Sequence, residues 1–161
     1  MKFLKHPQDK VIIKPYDPNW KKEYQQEKDL LESLFQGLPI FFHHIGSTSI
    51  PGCDAKPIID ILGVTANILE IDPFNQACEN KGFQPLGEWG MKQRRFFTKR
   101  GPVSVNLHIF EDSDPEVARH LRFRDYLINH PEKKEEYVAL KKKRALENDT
   151  DVFYYVLGKE G

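Results

Sequence analysis

Apolar and polar residues alternate along this chain with two different periods. From residue 20 to residue 38, Trp20, Tyr24, Leu31, Leu34 and Leu38 follow one another at steps of four, seven, three and four. That spacing predicts an amphipathic helix, capped by Asp17 with Pro18 in its first turn and ended by Gly37 and Pro39. Residues 40–45 then read as a strand. Residues 57–64 form a nearly unbroken apolar run with one charge, Asp60, as a buried strand would. Residues 93–99 and 103–110 predict two paired strands joined around Arg100, Gly101 and Pro102. Residues 11–14 predict a further short strand.

The remaining segments predict helices. Asp72 is placed to cap a helix over 73–81 that Gly82 closes. Asp114 with Pro115 opens a second, and Pro131 opens a third that runs to about Asn148. Residues 151–157 fit helix and strand equally. The order predicts one α+β domain over 1–161, a mixed β-sheet with flanking helices. No repeat, low-complexity tract or linker divides it.

Composition narrows the function classes. The chain has 161 residues, 39% of them hydrophobic and 12% aromatic. That is enough apolar and aromatic character for a packed core, and it argues against a disordered chain. No apolar run reaches the ~18 residues of a membrane span, and the first ten residues do not resemble a signal peptide. Lys plus Arg equals Asp plus Glu at 24 each. Zero net charge argues against a general nucleic-acid coat, which needs a cationic surplus. Cys53 and Cys78 make no metal-binding pair, so a reducing cytoplasm is expected, with a secreted chain carrying one disulfide as the alternative.

Two stretches carry candidate chemistry. In the loop 46–56, Gly46 lets a ligand approach the backbone, and Ser47, Thr48 and Ser49 cluster hydroxyls and amides that suit a phosphate. Lys56 can add positive charge at its far end. The same hydroxyls could instead cap their own turn. Asp60 is the second: a carboxylate inside a buried strand is costly unless it is paired or holds a metal. Strand alternation sets Ser104, Asn106 and His108 on one face, opposite Val105, Leu107 and Ile109. If the polar faces coincide, Asp60 and His108 line one cleft, either as a structural pair or as a site. Arg94 and Arg95 point to opposite faces. Arg122 can pair with Asp125 along its helix. In the run 141–144, Lys141 stands at the border of the buried stripe, where its long stem can carry the ammonium to a phosphate.

Five ordered strings resemble the GrpB family: residues 44–52 (HIGSTSIPG), 55–61 (AKPIIDI), 106–110 (NLHIF), 121–127 (LRFRDYL) and 136–141 (EYVALK). The resemblance covers about residues 11 to 160. It implies a nucleotidyltransferase-like fold and similarity to a domain fused to dephospho-CoA kinase. In that template, a Gly-Ser loop holds nucleotide phosphates and three carboxylates hold two divalent ions. Gly46, Ser47 and Asp60 match. Leu62 stands at the second carboxylate position, and Asn106 or His108 at the third.

The expectation is therefore a cleft for a nucleotide or other phosphorylated small molecule. His44, Gly46, Ser47, Thr48, Lys56, Arg95, Arg122 and Lys141 would hold phosphate, with Arg95 preferred over Arg94 on the resemblance. Asp60 and His108 would be the catalytic pair and the ligands of Mg²⁺ or Mn²⁺. Two functions follow: metal-dependent nucleotidyl or phosphoryl transfer, or a non-catalytic phosphate-ligand module with a degenerate site, linked to coenzyme A metabolism. The family's late Tyr and Lys would fall on Tyr155 and Lys159.

Overall fold

A computed structural model describes residues 13–147. The readings at residues 11 and 12, Asn148, 151–157, Tyr155 and Lys159 lie outside them. The first helix, α1 (Asn19–Leu34), buries Trp20 and Leu31 and is held at its start by the Asp17 carboxylate, which accepts from the Asn19 amide at 2.9 Å. It is followed by β1 (Ile40–Ile45), a one-turn 3-10 segment (Ser47–Ser49) and β2 (Ile59–Thr65). The crossover from β2 carries α2 (Asn75–Asn80), a two-residue β3 (Gln84–Pro85) and β4 (Arg95–Lys99) before β5 (Val105–Glu111). Two helices close the described chain, α3 (Pro115–Asn129) and α4 (Pro131–Glu147).

The five strands form one mixed sheet in the order β1-β2-β5-β4-β3, with β2 and β5 parallel and the other pairs antiparallel. This is the expected α+β architecture. Lys14 forms an isolated antiparallel bridge to Ala55 where a strand over 11–14 was expected.

Register decides which residues share a face. Phe42, Ile59, Ile61, Leu107, Ile109 and Phe97 pack on one side against Trp20, Leu31 and Phe35, forming the main core. The opposite side carries Asp60, Asn106 and His108 at one end. Beside them Leu62, level with His108, and Phe110 further along pack with Val117 and Leu121 of α3. A third cluster joins Ile50 and Cys53 of the loop to Leu127 of α3 and Tyr137 of α4.

One helix differs from the sequence reading. Asp72 does not cap a helix over 73–81; that stretch is a 3-10 turn (Asp72–Phe74) running into the short α2, with Phe74 at the N-cap and no side-chain cap bond. The Asp72 carboxylate is engaged instead by Arg95, at 2.7 Å from Nε and 3.3 Å from Nη2. By contrast, Asp114 caps α3 as expected, accepting from the Glu116 amide.

At the outer edge of β1, the Tyr24 hydroxyl donates to the Phe42 carbonyl at 3.3 Å and Arg124 donates to the His44 carbonyl at 3.1 Å.

Candidate phosphate and carboxylate site

The site gathers where β1 ends and β2 begins. Ile45 pairs with Asp60 across the two strands, so the turn after β1 passes beside the Asp60 side chain. Gly46 makes that approach possible. Its φ of 73° and ψ of −174° belong to a region that essentially only glycine adopts. A Cβ there would lie 2.7 Å from Asp60 Oδ2.

The three hydroxyls of the turn have different tasks. Ser49 Oγ donates to the Gly46 carbonyl at 2.5 Å and closes the turn. Thr48 Oγ1 is buried and shares a 2.9 Å hydrogen bond with His44 Nε2. The His44 ring stacks on Tyr24 at 4.5 Å, and burial lowers its pKa to about 4. His44 is therefore a neutral brace for the turn. Ser49 follows the self-capping alternative, whereas Thr48 bonds the His44 side chain. Ser47 alone of the three meets a cation.

That cation is Lys141, 1% exposed despite sitting in a basic run whose next three residues are exposed. Its Nζ donates to Ser47 Oγ at 2.7 Å and to the Asp54 carbonyl at 3.3 Å, and lies 5.3 Å over the Tyr137 ring. Tyr137 Oη is 3.2 Å from the same Ser47 oxygen. Among the described residues no carboxylate lies within salt-bridge distance of Nζ. Burial lowers its pKa to about 8. Lys142 instead reaches the Asp54 carboxylate at 2.6 Å. Lys56 is half-buried in the same loop, and its charge also depresses Lys141.

Asp60 and His108 meet as the alternation implied. His108 Nε2 lies 3.1 Å from Asp60 Oδ1. The histidine is 2% exposed, and burial, the largest cause, lowers its pKa. Its other nitrogen, Nδ1, faces Arg94 Nη1 at 3.4 Å. Both ring nitrogens are thus engaged by protein groups. In this arrangement neither ring nitrogen turns a free lone pair toward the turn after β1.

The structure places Arg94, not Arg95, beside His108. Arg95 shares a face with Ile109, opposite His108, and spends its guanidinium on Asp72. Arg94 points toward Asp60's partner instead. It precedes β4 and directly follows Gln93, whose φ is 68°. Arg122 is not brought to the site. It is exposed in a shallow hollow of α3 beside Phe123 and Tyr126, while Asp125 pairs with Arg124. The sequence reading missed Asp54 and Tyr137. Tyr137 was legible only as an apolar helix position, and Asp54 only as a loop residue.

The donor set tests the two-ion template. Asp60 supplies one carboxylate, a quarter exposed. Leu62 is apolar, and Asn106 turns its Oδ1 to Arg100 at 2.9 Å. No cluster of three His, Cys, Asp or Glu suited to a metal exists among the described residues. Two ions do not fit. Asp60 alone could supply a carboxylate oxygen to a single hard cation.

A family model described as "GrpB protein" matches residues 10–161. The chain belongs to the GrpB family. It is 39% identical over 159 residues to the UPF0157 protein YqkA of Bacillus subtilis, covering 98% of this chain but 46% of YqkA. A dephospho-CoA kinase of Mycolicibacterium paratuberculosis is 24% identical over 176 residues, with 93% of this chain and 43% of the kinase covered. The crystal structure of GrpB from Enterococcus faecalis superposes with a TM-score of 0.84 at 31% identity, over 92% of this chain and 94% of that one. A structure of Cid1 in complex with the UTP analog UMPNPP gives 0.59 at 15% identity, over 89% and 46%. The GrpB fold is thus nucleotidyltransferase-like.

Proposed function

We propose that this GrpB-family chain binds a nucleotide or another phosphorylated small molecule at the turn after β1, and does so without group transfer. The observation that carries the reading is Lys141. A buried ammonium whose described partners are a hydroxyl and a carbonyl is costly to keep charged. A phosphate beside Ser47 would supply the missing counter-charge, with Gly46 allowing close approach of the backbone. Asp60 would share one Mg²⁺ or Mn²⁺ with the phosphate oxygens, and the ion's chemistry there is charge neutralisation.

The donor set supports binding without transfer. A two-ion displacement needs carboxylates that Leu62 and Asn106 do not provide. His108, closed by Arg94 and Asp60, has no nitrogen turned toward a ligand. The Cid1 complex and the dephospho-CoA kinase relative support a nucleotide-like ligand, and the latter keeps a setting in coenzyme A metabolism in view. Equal acidic and basic counts favour a small molecule over a nucleic-acid lattice. Two buried free cysteines suit a reducing cytoplasm. No described helix is long and apolar enough to cross a membrane.

Calorimetric titration of ATP, CTP and dephospho-CoA, each with and without Mg²⁺, tests the proposal. Binding to the wild type is expected, with loss in Lys141→Met. Asp60→Ala should lose only the Mg²⁺-dependent part. Binding unaffected by Lys141→Met would overturn the reading. Product formation in the same mixtures would overturn the claim that no group is transferred.

A further inference from the structure

Arg94 is a fully buried guanidinium to which the binding proposal gives no part in holding ligand. It is 1% exposed and lies over the Phe96 ring, 4.4 Å from the centroid. Its Nε donates to the Glu88 carbonyl at 3.2 Å and its Nη2 to the Trp89 carbonyl at 2.8 Å. Its Nη1 faces His108 Nδ1 at 3.4 Å. Burial lowers its pKa to about 10, which leaves it charged at neutral pH.

A guanidinium only donates. His108 Nδ1 must therefore accept from Arg94, which puts the ring proton on Nε2. That nitrogen donates to Asp60 Oδ1. Oδ1 is thereby fixed, and Oδ2, which no described donor holds, stays beside Gly46 on the ligand side. The other groups bearing on His108 are Glu116 and His120 of α3, whose ring lies 5.9 Å away.

The other end of this chain of bonds is the loop over 87–93. Trp89 and Gln93 have φ of 47° and 68°, and Gly87 and Gly90 are also left-handed. Four such residues in seven positions fold the loop so that two of its carbonyls converge on one guanidinium. Non-glycine residues in that region are strained, and such strain is held only where the surroundings over-determine it.

We infer that Arg94 is a positioning residue for Asp60: it sets the His108 tautomer, and His108 then presents one oxygen of Asp60 to the bound phosphate and its cation. The loop 87–93 is the scaffold for that arrangement. This rests on the proposed role of Asp60 toward ligand, but the tautomer is a property of the ligand-free protein.

Long-range ¹H–¹⁵N correlation of the imidazoles, recorded without ligand at pH 7.5, tests it. Wild-type His108 should show the Nε2–H tautomer. Asp60→Ala should keep that tautomer, because Arg94 sets it. Asp60→Ala combined with Arg94→Met should populate both. An Nδ1–H form in the wild type, or a switch to it in Asp60→Ala, would overturn the inference without need of an Arg94 variant. A second readout is the ratio of ATP affinity with Mg²⁺ to that without. Arg94→Met should lower the ratio about tenfold, as loss of an outer partner of a metal ligand does, and leave metal-free affinity unchanged. An equal fall in both would make Arg94 merely structural. If wild type binds no ATP in either condition, the binding proposal fails while the tautomer result stands.

Discussion

The two faces of the sheet are closed by different materials. Under α1 the face is closed by carbon: Phe42, Ile59, Ile61, Leu107 and Ile109 meet Trp20, Leu31 and Phe35. On the other face, α3 supplies carbon over Leu62 and Phe110, but the end near Gly46 buries Arg94 and His108 against Asp60. Lys141 is buried beside Ser47 of the same turn. Apolar burial contributes about 25 cal/mol per Å², whereas each buried charge costs free energy unless fully compensated. The first face is built for stability. The second keeps ionic groups that stability alone does not require, and this asymmetry locates the site.

Substitutions on the two faces should separate these roles. The largest effect is expected from Leu107→Ala, in the carbon-closed core: a loss of about 2–5 kcal/mol in urea unfolding with ligand affinity intact. A large affinity loss in a still-folded protein would erase the distinction between the faces.

Lys141→Met should do the reverse, raising stability at pH 7 by up to about 3 kcal/mol while abolishing phosphate binding. The sign follows from its lowered pKa of about 8 against the usual 10.5. The unfolded chain binds more protons between those values, so this lysine's contribution to stability rises with pH across that window. Cys53, Cys78 and Tyr24, all raised by burial, act in the opposite direction there. The difference between wild type and Lys141→Met isolates the lysine, and it should shrink from pH 8 to 10.5. A constant difference would mean the ammonium is not penalised.

Gly46→Ala should cost about 1–3 kcal/mol and displace the Asp60 carboxylate, removing the Mg²⁺-dependent part of binding. A variant that binds like wild type would show that the turn does not need its close approach to Asp60. The smallest effect is expected from Arg95→Ala, which breaks a pair with a largely exposed Asp72: less than about 1 kcal/mol in thermal melts and no change in affinity. A strong loss of binding there would restore Arg95 to the site.

Patterns of period two and period four made most of the fold legible. β1 and α3 with its Asp114 cap stand where hydrophobic spacing and cap residues put them. Alternation put Asp60 and His108 on polar faces, and the condition that those faces coincide is met because β2 and β5 are neighbours in parallel register. Lys141 was legible as the border of an apolar stripe. Arg94 was not. It directly follows the left-handed backbone at Gln93, which no side-chain pattern announces. Asp72 was misread for a related reason: a carboxylate before a proline can cap a helix, and only the tertiary neighbour Arg95 decides that it does not. The division of labour among Ser47, Thr48 and Ser49 depends on His44 and on α4, ninety residues away along the chain for the Ser47–Tyr137 contact.

The bonds at the rim of β1 bear on how the molecule behaves among copies of itself. An outermost strand offers unused backbone acceptors that can recruit a strand from another chain, the first step toward a growing intermolecular sheet. On β1 the carbonyls of Phe42 and His44 are already occupied by Tyr24 and Arg124. An incoming strand would have to displace a phenol and a guanidinium to bond either carbonyl. The helices that close the two faces therefore also guard the sheet's margin, and the half of β1 next to the site is the guarded half.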